Sequence, residues 1–434
     1  MKVIDFINIS PTAFHAAANV KSILMKNGFE ELYECEEWKL QKGGRYFVMR
    51  NGSSIIAFEV PLCNYAGLCV CASHTDSPSF KLKASPELTG INGLIRLNIE
   101  GYGGMARETW FDRPLSVAGR IAAEVGGTIK EILVNIDRDI AVIPSLAVHM
   151  GKARSEDRVN IQNEMLPILR SEGAQKKLID LIADTADVKS ENIKGCDLYL
   201  YNREKGTVFG VDNEFIASGR IDNLENVYIS LSALLNSMKT SQKNEMLRIY
   251  AAFDNEETGS LTRQGAESTF FNEVIVRINE ALGVSSSEYM RRLASSFVMS
   301  VDNAHAMHPN YAAKADPINR PALNGGVVLK FNASGRYTTD AVSAAVVKIL
   351  AERAGVPVQE YHNRSDIAGG STLGNLMNRH ISVMSADIGL AQLAMHSAYE
   401  TAGAKDTEYM EKLLTEFYNT TIKAGCGGQL ELIR

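Results

Sequence analysis

Hydrophobic positions along the chain follow two spacings, one typical of amphipathic helices and one typical of buried strands. Apolar residues at helical spacing run through residues 11–28, which end in an Asn-Gly helix stop. The same spacing predicts helices over 225–238, over 339–355 with Gly355 as the stop, and over 406–424 at the end of the chain. Four helices are therefore expected outside the middle of the chain.

Short apolar runs between these helices predict strands. They lie at residues 45–50, 54–60, 67–73, 246–253, 295–301, 356–362 and 380–388. Strands that alternate with helices predict a mostly parallel sheet with helices on both of its faces. The predicted fold class is therefore α/β.

The middle of the chain has a different pattern of hydrophobic, polar and glycine residues. Glycine-punctuated, β-type pieces occupy 93–104, 115–123 and 129–136, and the polar stretch 151–195 is expected to hold one helix. We therefore predict an α/β domain formed by residues 1–88 and 216–434, with a β-rich domain, residues 89–215, inserted into it.

Composition restricts the function. The 434 residues are enough to form the hydrophobic cores of two to three domains. Contents of 45 % hydrophobic and 22 % charged residues are ordinary for a globular protein. A net charge of -6 argues against a nucleic-acid-binding protein. No apolar run approaches the ~20 residues that span a bilayer. The N-terminal stretch lacks the features of a signal peptide, so a cytoplasmic protein without a membrane partner is expected.

Cysteine chemistry is not expected to carry the function. The six cysteines show no regular framework, and Cys69 and Cys71 are predicted to share one face of a strand. Reduced core thiols are the favoured interpretation of this pair, with a disulfide or a soft-metal site as the alternatives.

The segment FDNEETGS, residues 253–260, places three carboxylates within four residues directly after a predicted strand. A solvated turn would explain an isolated acidic cluster. Carboxylates this close otherwise repel each other unless a cation or a proton holds them together.

Other predicted strands are followed by similar chemistry, and ligands of open α/β sheets bind outside the carboxyl ends of the strands. The residues at or near these ends are His74, Asp76, Asp222, Asp302, His305, His308, Asp387 and His396. Imidazole and carboxylate donors in this number suit a pair of divalent ions, one carboxylate bridging them, with zinc, manganese or cobalt as candidates. In such a site one glutamate of the acidic cluster can bind metal while its neighbour acts as a general base. Asp76, two residues from His74, can fix the tautomer of that histidine.

These segments resemble a known family when they are taken in order. SHTDSP, IDN, DNEETGS, VDNAHAMHPN and QLAMHS are similar to the motifs of the M18 family of metallo-aminopeptidases, which includes aspartyl aminopeptidase. The resemblance extends from about residue 10 to the C-terminal helix and includes WFDRPLSVAGR, VVLKFN and GGSTLG.

The resemblance implies roles for individual residues. One metal ion would bind His74, Asp222 and Asp302, and the second would bind Asp222, Glu257 and His396. Glu256 would be the general base toward a metal-bridging water, and Asp76 would orient His74. The implied cofactor is two divalent ions per subunit, zinc in the first place.

Substrate contacts and assembly are also implied by the resemblance. His305, Lys330 and Tyr337 would contact the peptide substrate, and His149 would reach into the neighbouring subunit's site. Lys330 lies in an apolar run, where its charge needs a partner, either a substrate carboxylate or a protein carboxylate. The implied fold is a zinc-exopeptidase-like catalytic domain with the β-rich insertion as a dimerisation domain. Dimers of the family form tetrahedral dodecamers.

The sequence therefore predicts an aminopeptidase that removes N-terminal residues, with a preference for Asp and Glu. Departures from the family pattern, such as Tyr399 after the MHS motif, concern the specificity pocket, and a preference for neutral or apolar residues is the alternative. A related metallo-carboxypeptidase or amidohydrolase is a second alternative. A catalytically idle assembly protein of the same fold is a third, but such a protein would lack a ligand or the base.

Overall fold

The computed structural model describes residues 2–150, 159–239 and 245–434. Ten helices lie in these residues: α1 Val3–Asn8, α2 Ala13–Lys26, α3 Ile161–Glu164, α4 Leu178–Ala186, α5 Ile221–Ser237, α6 Phe270–Ala281, α7 Ser286–Leu293, α8 Ala341–Ala354, α9 Leu373–Met377 and α10 Asp406–Asn419. Across the described ranges, no helix is long and apolar enough to cross a membrane.

The described residues form 22 strands. They are β1 Glu30–Leu32, β2 Arg45–Arg50, β3 Ser54–Glu59, β4 Gly67–His74, β5 Ser79–Thr89, β6 Leu94–Tyr102, β7 Leu115–Val125, β8 Thr128–Asn135, β9 Ile168–Ser171, β10 Ile193–Asn202, β11 Thr207–Phe209, β12 Phe215–Ser218, β13 Met246–Phe253, β14 Phe297–Val301, β15 Ala304–His305, β16 Val327–Phe331, β17 Val358–His362, β18 Met384–Gly389, β19 Ala391–Leu393, β20 Glu400–Gly403, β21 Thr421–Ala424 and β22 Leu430–Ile433.

The largest sheet has nine strands in the order β1-β2-β3-β13-β4-β14-β18-β16-β17. Its four central strands, β13, β4, β14 and β18, run parallel to one another. Antiparallel pairs occur at β2-β3, β3-β13 and β16-β18. The predicted α/β class with a mostly parallel sheet is confirmed.

Both faces of this sheet are buried, because every residue of β4, β13 and β14 is buried. Successive side chains of a strand point to opposite faces. Cys69 and Cys71 accordingly join the core beneath α2, α5, α8 and α10, whereas Val70 joins the core beneath α6 and α9. The shared face of the two cysteines is confirmed, and both thiols are free.

A six-stranded antiparallel sheet, in the order β8-β7-β10-β5-β6-β9, has a separate core that includes Phe80, Trp110, Val117 and Leu200. A third sheet, in the order β11-β12-β20-β19-β15, is formed by strands from residues 207–218 and 304–403. The division of the chain into domains at residues 89 and 215 stays a prediction. The strands of the six-stranded sheet extend from residue 79 to residue 202.

The predicted helices and strands agree with the structure in most places. The closing helix over 406–424 is wrong in its last turn, because α10 ends at Asn419 and 421–424 form strand β21. The β-branched run Thr420-Thr421-Ile422 favours extended backbone over helix. The strand predicted at 380–388 begins only at residue 384. The polar stretch 151–195 holds the predicted helix as α4, and residues 151–158 of that stretch lie outside the described residues.

We predict that Gly389→Ala disturbs the end of β18 next to Asp302. A Cβ on Gly389 would lie 1.9 Å from the carbonyl oxygen of Asp302, so the backbone there must shift. Overpacking of this kind costs about 1–3 kcal/mol of unfolding free energy, to be measured by denaturant titration. Gly173→Ala is the matched control, because a Cβ on Gly173 meets nothing within 4 Å. Equal stability of the two variants would contradict the prediction.

Candidate functional site

Five chain segments meet at the carboxyl ends of three adjacent parallel strands. His74 is the last residue of β4, Asp302 follows β14, and the acidic cluster follows β13. Asp222 lies at the start of α5, where its backbone is not yet helical, and the peptide bond after it is cis. His396 lies in the turn between β19 and β20. The strand ends and two neighbouring loops therefore converge on one cleft.

The carboxylate of Asp222 lies between the two imidazoles. Its Oδ1 is 3.3 Å from Nε2 of His74, and its Oδ2 is 3.6 Å from Nε2 of His396. Nε2 of His74 is also 3.4 Å from Oδ1 of Asp302, and Nε2 of His396 is 3.3 Å from Oε1 of Glu257. The result is two groups of donors that share Asp222.

The donor set fits divalent metal ions. Ligand atoms of His74, Asp222 and Asp302 lie within 4.8 Å of one another, and so do those of Asp222, Glu257 and His396. Oδ1 of Asp222 and Oε1 of Glu257 are buried without a hydrogen-bond partner among the described residues. A buried carboxylate oxygen without a partner is costly unless a cation binds it. Imidazole nitrogen and carboxylate oxygen are ligands that zinc accepts.

The electrostatics of the two histidines reflect the carboxylates around them. Burial alone would lower the pKa of His74, but Asp222, Asp302 and Asp76 raise it well above the ordinary value. Burial would likewise lower the pKa of His396, whereas Asp222 and Glu257 raise it to about 12. The cluster therefore attracts positive charge strongly, as a site for metal cations must.

The two glutamates of the acidic cluster share the cleft but differ in surroundings. Burial raises the pKa of Glu257 to about 7, against the opposing effect of His396. Burial also raises the pKa of Glu256 well above the ordinary value, with His74 opposing the shift and Asp302 adding to it. Glu256 shares a group of donor atoms with His74 and Glu257 and lies partly open to the cleft.

Asp76 organises the acidic cluster from behind. Its Oδ1 is 3.2 Å from Nδ1 of His74 and accepts the backbone N–H of Glu256 at 3.1 Å. Its Oδ2 accepts the backbone N–H of Glu257 at 3.1 Å and the hydroxyl of Tyr102 at 2.7 Å. One buried carboxylate thus holds the positions of three site residues.

Glu400 holds residues in position on the other side of the cluster. No role was predicted for it from the sequence. Its Oε2 accepts the backbone N–H of Asp222 at 3.1 Å, and its Oε1 accepts the backbone N–H of His396 at 2.8 Å. Burial and the repulsion of Asp222 raise the pKa of Glu400 well above the ordinary value. In the sequence, the feature that could have identified Glu400 is its position four residues after His396.

The six-stranded sheet contributes directly to the site. Tyr102, at the end of β6, donates its hydroxyl to Asp76 and accepts a hydrogen bond from the side chain of Asn255 at 2.8 Å. The carbonyl oxygen of Gly104 lies 2.7 Å from Nδ1 of His396, which leaves Nε2 facing Asp222. No local sequence signal marks these contacts, because they depend on how the two sheets pack.

Three of the predicted substrate contacts lie beside the cluster. Nζ of Lys330 is 3.3 Å from Oδ2 of Asp302, donates to the carbonyl oxygen of Asn303 at 2.7 Å, and lies 5.5 Å from the ring centroid of Tyr337. Lys330 is buried, and a protein carboxylate is therefore its partner in this structure. His305 reaches the surface, and the protein around it and the ammonium of Lys330 lower its pKa.

The remaining candidates lie outside the cluster. His149 is exposed in a short 3-10 turn, Val148–Met150, and the described residues show no contact between it and the site. His308 packs against Tyr311. Asp387 lies within β18 and accepts hydrogen bonds from Thr338 and Thr372, so its carboxylate has a structural role.

A buried polar network lies behind Asp222. Asn226 donates to Asn223 and to Asn303, and Asn303 lies 3.5 Å from Oε2 of Glu225. Glu225 is fully buried, and burial together with repulsion from Asp406 raises its pKa to about 8. A buried carboxyl is thus retained in neutral form next to the site.

The chain is similar to known proteins along nearly its whole length. The family model described as aminopeptidase I zinc metalloprotease (M18) matches residues 6–418. A relative named probable M18 family aminopeptidase 2, from Clostridium acetobutylicum, is 44 % identical over 427 residues, covering 96 % of this chain and 98 % of the relative.

Two solved structures extend the likeness. A chain in the cryo-EM structure of the Ape4 and Nbr1 complex is 36 % identical with a TM-score of 0.92, covering 96 % of this chain and 84 % of that chain. A chain of the S. cerevisiae mApe1 dodecamer is 28 % identical with a TM-score of 0.85, covering 96 % of this chain and 95 % of that chain.

We expect Glu400→Gln to weaken metal binding. Each carboxylate oxygen of Glu400 accepts one backbone N–H group, whereas a glutamine side chain has a single carbonyl oxygen to accept with. The NH2 group of the glutamine would face the other backbone N–H group, and two donors cannot form a hydrogen bond. Loss of such an outer contact lowers metal affinity about 10–100-fold, measurable as the zinc dissociation constant by competition with a chelator. Glu352→Gln, on the exposed side of α8, is the matched control. Unchanged zinc affinity in Glu400→Gln would refute this role.

We predict that Glu225→Gln changes how stability depends on pH in the metal-free protein. The folded state keeps the Glu225 proton up to pH about 8, whereas the unfolded chain releases it near pH 4.5. The wild type therefore loses stability relative to Glu225→Gln as pH rises through this window, by about 1.4 kcal/mol per unit at most. Urea unfolding of both proteins at pH 5 and pH 8 measures the difference. A difference independent of pH would show that Glu225 does not titrate this way.

Proposed function

This chain belongs to the M18 family of zinc metallo-aminopeptidases, and we propose that it hydrolyses N-terminal residues from peptides with two divalent ions and Glu256 as general base. The family makes it a peptide hydrolase. The observation that carries the dinuclear proposal is the position of Asp222, whose two carboxylate oxygens face two separate imidazoles.

Seven residues receive roles in the proposal. His74, Asp222 and Asp302 would hold one ion, Asp222, Glu257 and His396 would hold the other, and Asp76 would orient His74 while Glu256 acts as the base. When bound, the two ions would polarise the scissile carbonyl and lower the pKa of the attacking water. Zinc is the first candidate for this donor set, with manganese or cobalt as alternatives.

The surroundings of Glu256 support its role as the base. Its backbone is fixed by Asp76, and its carboxyl shares the cleft with His74 and Glu257. Burial raises its pKa, which favours accepting a proton from water. The same carboxyl can then donate that proton to the leaving amine. Glu257 is adjacent in sequence but faces His396, so the two glutamates are suited to different tasks.

Recognition of the substrate is proposed for His305, Lys330 and Tyr337. Lys330 supports a preference for acidic N-terminal residues, because it places a positive charge beside the cluster. The pairing of its ammonium with Asp302 also favours a second candidate, an aminopeptidase that prefers neutral or apolar residues. In that case Lys330 would serve to hold Asp302 in position.

We also propose that the chain self-associates. One neighbour is a dodecamer of mApe1. His149 is flanked by the exposed apolar residues Leu146, Val148 and Met150, and such patches are typical of interfaces. This supports an interface through which His149 reaches the site of a neighbouring subunit. The tetrahedral dodecamer, the dimerising role of residues 89–215 and a cytoplasmic location rest on the family resemblance and the sequence.

We predict that Glu256→Gln lowers kcat/KM about 10²–10⁴-fold, because the amide cannot accept the proton of the attacking water. The measurement compares matched peptides with N-terminal Asp, Glu or Leu in zinc, manganese or cobalt. Glu352→Gln is the control and should retain full activity, since it lies on the exposed face of α8.

The same set of peptides tests which N-terminal residue the enzyme prefers. Faster release of Asp and Glu supports the acidic preference, and faster release of Leu supports the second candidate. An N-acetylated peptide should not be cleaved. Its cleavage, or undiminished turnover by Glu256→Gln, would contradict the proposed mechanism.

A further inference from the structure

A second cavity lies behind the metal cluster, where the segment before α2 meets the six-stranded sheet. It has about 670 Å³ of empty volume, part of it open to solvent, and its lining includes Phe14, Trp110 and Arg220. None of the proposed substrate contacts lines this cavity, whose lining includes Asp76 and Glu400 from behind.

Aromatic side chains form much of the cavity wall. Phe14, Trp110, Tyr199 and Tyr201 all line it. The ring centroids of Phe14 and Tyr199 are 6.5 Å apart, and Trp110 is fixed from the other side by an edge contact with Phe80 at 5.1 Å. The cavity therefore offers a preformed, rigid apolar surface to a small ligand.

Two residues that line the cavity carry hydrogen-bond donors that are not fully used within the described part of the protein. Trp110 is only 3 % exposed, and its indole Nε1–H has no hydrogen-bond partner in the described part of the chain. Arg220 donates to the carbonyl oxygens of Ser10 and Ile7, and the described residues place no carboxylate in an ion pair with it. A guanidinium and an indole N–H together suit a carboxylate ligand.

A carboxyl group also lines the same cavity. Asp254 is buried, and its Oδ1 accepts the backbone N–H of Asn255 at 2.7 Å. A buried carboxyl of this kind suits an ammonium group. A ligand that carries a carboxylate, an ammonium and an apolar side chain would satisfy all three features of the wall.

We propose that this cavity binds a free α-amino acid as its zwitterion. The carboxylate would contact Arg220 and the indole N–H of Trp110, the ammonium would contact Asp254, and the side chain would lie on the aromatic wall. This inference goes beyond the proposed function, because binding here requires neither metal nor hydrolysis. Occupancy would reach the metal cluster through Asp76 and Glu400, so a released amino acid would act on the enzyme from behind the site.

The chain offers a direct reporter, because it has only two tryptophans. Trp38 lies elsewhere, with its Nε1–H donated to Tyr33 and its ring beneath Arg277. In a Trp38→Phe background, Trp110 alone reports on the cavity. The full chain, stripped of metal with a chelator, is titrated with L-leucine, with 3-methylbutylamine and with 4-methylpentanoate. The last two probes are leucine without its carboxylate and leucine without its amine.

We expect a saturable change of Trp110 emission with L-leucine and at least tenfold weaker binding of both single-charge probes. Arg220→Met should raise the leucine dissociation constant at least tenfold, with circular dichroism showing that the variant folds. Trp110→Phe, which keeps an aromatic ring in the wall but removes the N–H together with part of the indole, should weaken leucine binding severalfold by calorimetry. Absence of saturable binding, equal binding of a single-charge probe, or binding untouched by both variants would overturn the proposal. None of these outcomes depends on peptidase activity.

Discussion

The carboxylate of Asp222 between two imidazoles is the constraint on which the site depends. Its oxygens lie 3.3 Å and 3.6 Å from Nε2 of His74 and His396, respectively. Those histidines belong to a central strand of the nine-stranded sheet and to a turn near the end of the chain. Both histidines must therefore be held in fixed positions around this carboxylate. Asp76 meets this requirement through Nδ1 of the His74 ring, and Glu400 meets it through the backbone N–H groups of Asp222 and His396.

The buried sheet explains why this arrangement is rigid. β13, β4 and β14 are buried along their whole lengths, so their ends cannot move without opening two cores. The acidic cluster and Asp302 are held rigidly because they directly follow these strands. The loop with His396 follows the short strand β19 of the third sheet, and it is held by Glu400 and by the carbonyl oxygen of Gly104.

The sequence predicted the parts of the molecule that local patterns determine. Apolar runs gave the central strands, and polar residues after them marked His74, Asp302 and the Glu256-Glu257 pair, because strand ends of a parallel sheet share one edge. Tyr102 and Gly104 were not predictable in this way, since their contacts arise from the packing of one sheet against another. The partner of Lys330 was left open for the same reason, and its pairing with Asp302 required the structure. Strand β21 was missed because the helical spacing before it continued too far into a β-branched run.

The contact between Gly104 and His396 joins residues 292 positions apart in the chain. Asp76 and Tyr102, near the start, likewise remain without Glu256 and Glu257 until the middle of the chain has been made. On a ribosome, the N-terminal half therefore emerges with only part of the donor cluster. Because His396 lies near the end of the chain, its cluster with Asp222 and Glu257 can form only when synthesis is nearly finished.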